Sequence, residues 1–530
     1  SLCLLLLALA LATPVLVVAG SWLAGASPNW GHLSSTVLPS YLRHSLFLAL
    51  FTGTGTLLIG VAAAWAVSRF RFPGRRVLEW ALLLPLTCPA YLIAYTWTGM
   101  LASEGALQQA LPLPLPDIRS PAGAGLMLTL VLYPYVYLMT RAAFVSQSAV
   151  ALEVARTLGA GPWRRFFRVA LPLARPAIIA GLALVLMETL ADYGTVAYFG
   201  VPTLSTGIYR TWFGLGDAMA AAQLAGVLLL AMVVLLTLER RARKERRISV
   251  ASARAAAPLP LGQGPGLLLA AALWLPVLLG FILPALQLLV WSLPRWRDLA
   301  EPGFLGLLGT SLLIALCTAL AATGLGLLLI WARRLRGDRP RRLAAGLAGF
   351  GYAVPGTVLA VGVVLVLASL DHGLNDLLAS VGLPEPGLLF SGTLFAVVFA
   401  CTVRFLTIPI QGLDAGLQNL SPNLDNAARS LGTASLPMLR RVHLPLLRVP
   451  LATSALLVFV DTLKELPAAL VLRPFNTNTL AVRAFELASD ERLADAALPA
   501  LTILLAGVAP VILLTRSIRN PHQESPHADH

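Results

Sequence analysis

The sequence predicts an all-α polytopic membrane protein of about twelve transmembrane helices, arranged as two parallel six-helix repeats. Three observations lead to this prediction. The 530-residue chain is 57% hydrophobic and only 12% charged, whereas soluble domains carry about 25% charged residues. Its apolar runs are long enough to cross a bilayer, and one basic segment occurs twice. A duplicated segment set among such runs indicates that one membrane unit is present in two copies.

Each predicted span is an apolar run of about 20 residues, the length that crosses the hydrocarbon core as a helix. The runs lie at 2–20, 45–68, 77–101, 123–143, 175–198, 218–238, 266–290, 311–332, 343–369, 391–411, 449–470 and 495–515. An even number of spans in each half means that both halves enter the membrane from the same side. The two repeats are therefore parallel rather than inverted.

The net charge of +14 would fit a nucleic-acid partner, but the distribution of the basic residues favours a membrane orientation instead. If the first span starts in the cytoplasm, 29 of the 39 Lys and Arg residues fall in cytoplasmic segments and eight fall in outer segments. The positive-inside rule describes this asymmetry. We therefore expect both termini in the cytoplasm, contact with membrane lipid and no nucleic-acid partner.

The duplicated segment reads EVARTLGAGPWRRFFRVALPLAR at 153–175 and NAARSLGTASLPMLRRVHLPLLR at 426–448, an offset of 273 residues. Ten of the 23 aligned positions are identical. Each copy contains a glycine, Gly159 or Gly432, which permits a tight turn and close backbone approach. Each copy then leads through a basic stretch to Leu-Pro, and proline is favoured at the start of a helix.

Upstream of this segment the two halves align at an offset of 266, so the second half contains a seven-residue insertion near 371–390. The stretch between the halves begins as a basic run and becomes rich in Ala, Pro and Gly, which is typical of a linker. The predicted organisation is a first unit at 1–238 (core about 45–238), a cytoplasmic linker at 239–265, a second unit at 266–516 (core about 307–516) and a cytoplasmic tail at 517–530.

The duplicated segment resembles the Glu-Ala-Ala motif of ABC-importer permeases, which has a glycine six residues after the glutamate and a Leu-Pro before the next span. The matching positions are Glu153, Ala155, Gly159 and Pro172, and in the second copy Asn426, Ala428, Gly432 and Pro445. Asn426 departs from the motif because it replaces the glutamate. The resemblance implies a coupling helix that docks on an ATPase, with Glu153 contacting or bracing the joint. The alternative is a cytoplasmic loop held to anionic lipid by its arginines.

A second pair of matched segments carries charged residues inside predicted spans. They are Glu188, Asp192, Asp461, Lys464 and Glu465. The acids in each half are four residues apart, so they share one helix face. An ionised group at the bilayer centre costs about 2.5–3.5 kcal/mol, so these side chains should face a wet cavity, each other or the outer interface. Together with Tyr193 they are candidates for the substrate path or its gate, or else for a structural ion-pair network between the halves.

The segments at 188–213 and 461–491 resemble those of ferric-iron ABC-importer permeases with two fused binding-protein-dependent transport permease units. The resemblance extends over nearly the whole chain, and it implies the translocation subunit of an ATP-driven importer in the bacterial cytoplasmic (inner) membrane. Oxygen ligands suit a hard cation, and the charged segments offer them. Permeases for thiamine, phosphonate or polyamine are built on related patterns and remain alternatives. A secondary transporter, which also uses repeats and intramembrane acids, is the rival class.

The sequence contains no catalytic constellation and no nucleotide-binding motif. Its two lysines, Lys244 and Lys464, are each followed by glutamate, so a phosphate-binding loop of the GxxxxGK[ST] type cannot occur. The four cysteines lie in apolar runs without metal-ligand spacing. We therefore expect no enzyme activity, no bound cofactor and no tightly bound metal. The resemblance implies that ATP is used by two copies of a cytoplasmic ABC ATPase, and that a periplasmic or extracellular substrate-binding protein delivers the cargo.

Overall fold

The computed structural model describes residues 2–110, 117–146, 154–155, 157–244, 258–335, 338–349, 351–418 and 420–519. Within these ranges the chain is almost entirely helical, and its strands are limited to Phe70–Arg71 and Leu259–Pro260, which pair in parallel. The all-α prediction is therefore confirmed.

Within the described ranges, eight helices are long and apolar enough to cross a membrane. They are Leu2–Ala24, Leu38–Arg69, Pro121–Val145, Trp163–Ala191, Ala218–Arg241, Gln263–Ala300, Pro302–Leu335 and Gly356–Ser380. Three bent pairs raise this number to as many as eleven among the described residues: Arg75–Thr87 with Ala90–Leu101, Leu394–Phe405 with Thr407–Gln418, and Ser435–Leu446 with Arg448–Leu463. The last predicted span corresponds to the shorter apolar helix Leu493–Val508. Each of the twelve predicted segments is thus helical.

Shorter helices connect the spans. They are Trp30–Thr36, Ala106–Ala110, Gly194–Tyr198, Leu204–Leu215, Arg339–Ala348, Pro422–Ser430, Pro467–Leu472 and Leu480–Ser489. One of them corrects a predicted boundary: the expected span at 343–369 is two elements, the short helix Arg339–Ala348 and the span Gly356–Ser380. Proline causes the difference, because Pro355 precedes the first turn of the span and disfavours helical geometry in the residue before it.

Prolines also explain the sharpest bend. The segment at 77–101 was expected to be one span, but its two helices meet at an angle of 93°. Pro85 and Pro89 flank this break, and proline both lacks the amide hydrogen and clashes with the preceding turn.

Packing divides the chain into two compact units. The first is built from Ser1–Trp30, Ile208–Leu229 and Arg297–Arg483, and the second from Gly31–Gly207, Leu230–Trp296 and Ala484–His530. Each unit therefore holds most of one sequence half together with segments of the other. The predicted limits of the units follow the sequence repeat rather than this packing, and they remain a prediction.

Glycines allow close helix packing inside each unit. In the first unit the helix Leu2–Gly20 packs on Gly356–Ser380, and a Cβ on Gly362 would overlap the Pro14 carbonyl group. In the second unit Leu38–Arg69 packs along Pro121–Val145, where a Cβ on Gly60 would lie 2.9 Å from the backbone nitrogen of Tyr137. Small residues at such contacts let helix backbones approach each other closely in a membrane.

Candidate functional site

Both copies of the duplicated segment contain a turn at the predicted glycine. Gly159 has φ +77° and Gly432 has φ +74°. The next amide donates a hydrogen bond to the carbonyl oxygen of the motif alanine in both copies, from Ala160 to Ala155 at 2.9 Å and from Thr433 to Ala428 at 3.0 Å. This is the hydrogen bond of a Schellman helix end, which favours glycine because φ is positive.

The segments stay alike after the turn. Short helices at Pro162–Arg165 and Ser435–Met438 are each followed by a π turn, Phe166–Ala170 and Leu439–His443. The two π turns are 273 residues apart, the offset of the sequence repeat. Pro172 and Pro445 follow them in the first turns of the next helices, and both side chains are exposed. Another described π turn, Leu278–Ile282, corresponds to part of the regular α-helix Leu2–Gly20 in the first half.

The surface of each segment carries an exposed leucine immediately before the glycine. Leu158 is 81% exposed and Leu431 is 84% exposed. Asn426 is exposed as well, and its Oδ1 accepts a hydrogen bond of 3.4 Å from Arg429. Glu153, the expected bracing residue, lies outside the described residues. The two leucines therefore occupy matched positions at which a partner protein could contact them.

The second copy is fixed by a buried charged network that sequence reasoning missed. The Arg334 Nε donates to Asp425 at 2.8 Å, and its other nitrogens donate to the carbonyl oxygens of Leu417 and Leu420. The His443 Nε2 lies 3.0 Å from the second Asp425 oxygen. Burial opposes ionisation of Asp425, but the hydrogen bonds from Arg334 and His443 hold its pKa below the ordinary value. This network connects the end of a span, the short helix Pro422–Ser430 and the π turn.

The first copy has a different chemistry at the same positions. At the repeat offsets, the first copy has Ser68 in place of Arg334, Leu152 in place of Asp425 and Ala170 in place of His443. The Ser68 hydroxyl is buried without a hydrogen-bond partner in the described part of the chain, and Ala170 is fully buried. In the second copy the acid, Asp425, lies one residue before Asn426. Asn426 occupies the position that Glu153 holds in the first copy. The two copies therefore share their turns but are anchored differently.

We expect Asp425→Ala to destabilise the second copy by about 3 kcal/mol, because it leaves Arg334 and His443 buried without their partner. Asp414→Ala is the matched control, since Asp414 pairs with Arg333 nearer to solvent and such pairs contribute about 0–1 kcal/mol. Thermal unfolding of the purified chain measures both. Since the Asp425 pKa is lowered, its contribution is present above about pH 4 and is lost as the pH falls further. Equal effects of the two substitutions would contradict this assignment.

In the first half, Asp192 is placed at a break in a helix. The helix that begins at Leu171 ends at Ala191, and Gly194–Tyr198 starts a new one. The Asp192 carboxylate accepts hydrogen bonds from the amides of Thr195 at 3.1 Å and Val196 at 3.2 Å. This is the geometry of a helix cap. Glu188 is half-buried one turn earlier, and Tyr193 is buried with its ring 6.0 Å from that of Phe485.

Glu465 occupies the corresponding break in the second half and caps its helix too, accepting from the Ala468 amide at 3.2 Å. It also forms an ion pair that the sequence did not predict. The Arg404 Nη1 lies 2.7 Å from both Glu465 carboxylate oxygens, and the two side chains are 13% and 5% exposed. A Cβ on Gly356 would overlap the Arg404 guanidinium, so glycine makes room for the pair.

Asp461 and Lys464 are one helical turn apart and pair with each other, at 2.8 Å between Nζ and Oδ1. Asp192, Asp461 and Glu465 thus each contact partners inside their own compact unit. The structure brings together Asp461 with Lys464 and Glu465 with Arg404. The expectation that these residues line the substrate path or its gate, or form an ion-pair network between the halves, stays a prediction.

We expect Asp461→Ala to reduce transport and stability more than the Asp461→Ala/Lys464→Ala double substitution. The single change leaves an ammonium group without its carboxylate in a partly buried position, whereas the double change removes both charges. Transport assays and thermal unfolding of both variants test this. The pairing would be contradicted if the double substitution were the sum of the two single effects.

Comparison with known proteins places the duplicated segments in a family. Residues 56–250 and 322–520 each match the family described as "Binding-protein-dependent transport system inner membrane component". The chain belongs to this family. It is therefore a permease subunit of an ABC importer, a multi-pass protein of the inner membrane, and it contains the family domain twice. Membership implies an ABC ATPase and a substrate-binding protein as partners in general.

Similar proteins carry several different transport descriptions. The Fe(3+)-transport system permease protein FbpB 2 of Haemophilus influenzae is 26% identical over 90% of this chain and 89% of its own length. The thiamine transport system permease protein ThiP of Salmonella typhimurium is 27% identical over 91% of this chain and 90% of its own length. The molybdenum transport system permease protein ModB of Escherichia coli is 31% identical, but over 41% of this chain and 96% of its own length.

Proposed function

We propose that this chain is the translocation subunit of an ATP-driven, binding-protein-dependent importer of ferric iron. The observation that carries the proposal is the similarity, over nine-tenths of both chains, to a two-unit permease described as an Fe(3+) transporter. The carboxylates that already form hydrogen bonds or ion pairs limit the possible mechanisms. Because Asp192, Asp461 and Glu465 already bond inside the protein, the cargo would pass small side chains instead of being held by a deep acidic site.

The two glycine turns are proposed as the joints with the ATPase. Each presents an exposed leucine at a helix end, and two joints require two ATPase copies. ATP binding would close the ATPase dimer, move both joints and rock the two halves so that the path opens alternately to either side. With the basic segments on the cytoplasmic face, both termini are cytoplasmic, and a substrate-binding protein meets the loops near 199–217 and 472–495.

Thiamine is a second candidate cargo, and a specific observation favours it. The aromatic side chains Tyr209, Trp212 and Phe213 lie together beside Thr357 and Val361. The space between them is about 10 Å³, room for no more than one water, so they offer ring faces rather than a formed pocket. The rings of Tyr209 and Phe213 are 4.6 Å apart. Flat aromatic surfaces suit a cationic aromatic ligand better than a small hard metal ion. The full-length similarity to a thiamine permease points the same way.

Uptake of labelled cargo distinguishes these proposals. Cells that lack their own importers receive this permease together with its ATPase and binding protein, and are supplied separately with iron, thiamine, phosphonate, polyamine, molybdate or sulfate. We expect iron to accumulate, and to do so only while the ATPase is active. Thiamine uptake without iron uptake would overturn the iron assignment, whereas uptake driven by an ion gradient without the ATPase would overturn the ATP-driven mechanism.

A further inference from the structure

A basic cavity in the second compact unit is not used by the transport scheme. Its volume is about 560 Å³. The residues that line it are Arg71, Phe72, Gly74, Arg75, Arg76, Val77 and Pro258. It lies directly after the end of the span Leu38–Arg69, and the ends of a span that is longer than the hydrocarbon core extend into the headgroup region. Arg71 and Arg76 are exposed, so the cavity is accessible from outside the protein.

The end of the segment between the two halves forms one wall of this cavity. Leu259–Pro260 pairs in parallel with Phe70–Arg71, and the Leu261 amide donates to the Arg71 carbonyl oxygen at 3.1 Å. A Cβ on Gly266 would lie 3.5 Å from the Phe72 Cβ, so the following helix packs directly against the cavity. The wall is thus fixed by backbone contacts.

The positive charge in the cavity has no internal counter-ion within the described ranges. Arg75 donates from Nε to the Val67 carbonyl oxygen at 2.7 Å, and Glu79, the closest acid along the chain, pairs with Arg141. No described carboxylate forms an ion pair with Arg71 or Arg76. Like charges this close repel each other at low dielectric constant, so an anion from outside would relieve the repulsion.

The second half shows how the same position is neutralised internally. At the repeat offset of 266, Arg75 corresponds to Arg341 and Phe72 corresponds to Asp338. The Asp338 carboxylate lies 3.8 Å from the Arg341 Nη1 and also caps the helix Arg339–Ala348. The second half therefore carries its own carboxylate where the first half has Phe72 and an open cavity.

We propose that the cavity binds the phosphate of an anionic phospholipid headgroup. Arginine recognises phosphate through planar, paired hydrogen bonds, and basic residues next to a span attract anionic lipid. The surroundings suit a lipid better than free phosphate, because Val77 is 60% exposed and Leu268, on the helix that packs against the cavity, is 75% exposed. The bound headgroup would attach the end of the linker to the start of the helix at Arg75.

Native mass spectrometry of the full chain in detergent micelles with added phosphatidylglycerol tests this proposal. We expect the wild type to retain one phosphatidylglycerol more than Arg71→Gln/Arg76→Gln, whose affinity should fall roughly tenfold or more with the loss of two basic contacts. Phe72→Asp should also lower retention, because it supplies the carboxylate that the second half has. Phosphatidylcholine, which carries no net charge, should not be retained.

The matched control is Arg339→Gln/Arg342→Gln, which removes the same charge from exposed positions in the corresponding segment of the second half. This variant should retain phosphatidylglycerol like the wild type. Equal retention by Arg71→Gln/Arg76→Gln and the wild type would overturn the site. Displacement of the lipid by millimolar inorganic phosphate would overturn the lipid as its ligand. Retention is measured without transport, so neither result depends on the cargo.

Discussion

Replacement of Gly159 or Gly432 by tryptophan is expected to abolish transport while the permease still inserts and folds. Both glycines have positive φ, and a Cβ at either position would meet no atom of the described residues within 4 Å. A side chain there costs only roughly 1–2 kcal/mol of backbone strain. The bulk of tryptophan is therefore expected to act chiefly by obstructing the docked ATPase. Co-purification of the ATPase and ATP hydrolysis stimulated by the loaded binding protein measure the effect.

Two controls separate the effect of backbone strain at the glycine from the effect of side-chain volume. Gly159→Ala and Gly432→Ala carry the same backbone strain with little volume and should retain most activity. Gly382→Trp lies outside the repeat at a glycine with φ +73° and equally open surroundings, and it should leave ATPase binding intact. Normal transport by both Gly159→Trp and Gly432→Trp would contradict the assignment of these segments to ATPase coupling. We also expect Glu153→Ala to impair transport more than Asn426→Ala, because the second copy is anchored through Asp425.

Substitution of Glu465 by alanine is expected to cause the largest loss of stability, about 3–5 kcal/mol, because it leaves the Arg404 guanidinium buried without its carboxylate. The helix cap at Ala468 is lost as well. Asp192→Ala, the corresponding change in the first half, removes a cap without uncovering a buried cation, and it should cost about 0.5–2 kcal/mol. Unfolding in mixed micelles, followed by tryptophan fluorescence, ranks the two variants.

A double substitution tests whether the uncompensated charge is the cause. Arg404→Met/Glu465→Gln removes both charges and keeps an acceptor for the Ala468 amide. Buried ion pairs replaced by groups of similar volume often leave stability unchanged or improve it. We therefore expect this variant to be more stable than Glu465→Ala. If the double variant were as unstable as Glu465→Ala, the loss of stability in Glu465→Ala would not come from the uncompensated Arg404 charge.

Patterns local in sequence predicted most of the fold. Apolar length located twelve segments, each of which is helical in the described residues, because hydrocarbon thickness fixes the length of a span. The repeated glycines predicted the turns, since a left-handed helix end selects glycine. Span limits were less reliable where Pro85, Pro89 and Pro355 break helices.

The partners of the charged residues were only partly predictable. Lys464 lies one turn from Asp461, so their pair follows from helix geometry. Arg404 and Glu465 are 61 residues apart, and Arg334 and Asp425 are 91 apart. No periodicity relates such positions, and the repeat is no guide because the first half lacks both basic residues. These contacts depend on tertiary packing, which one sequence does not encode in a readable pattern.

The paired π turns give the two joints the same helix phase. A π turn contains one residue more than the α-helical turn that it interrupts, and one residue corresponds to about 100° of rotation along an α-helix. Phe166–Ala170 and Leu439–His443 occupy the same register of the repeat, so both copies shift the residues after the turn by the same angle relative to those before it. The anchor differs, because Leu152 and Ala170 stand in the first copy where the second has Asp425 and His443. The two joints thus match in backbone geometry and differ in what fixes them to the protein.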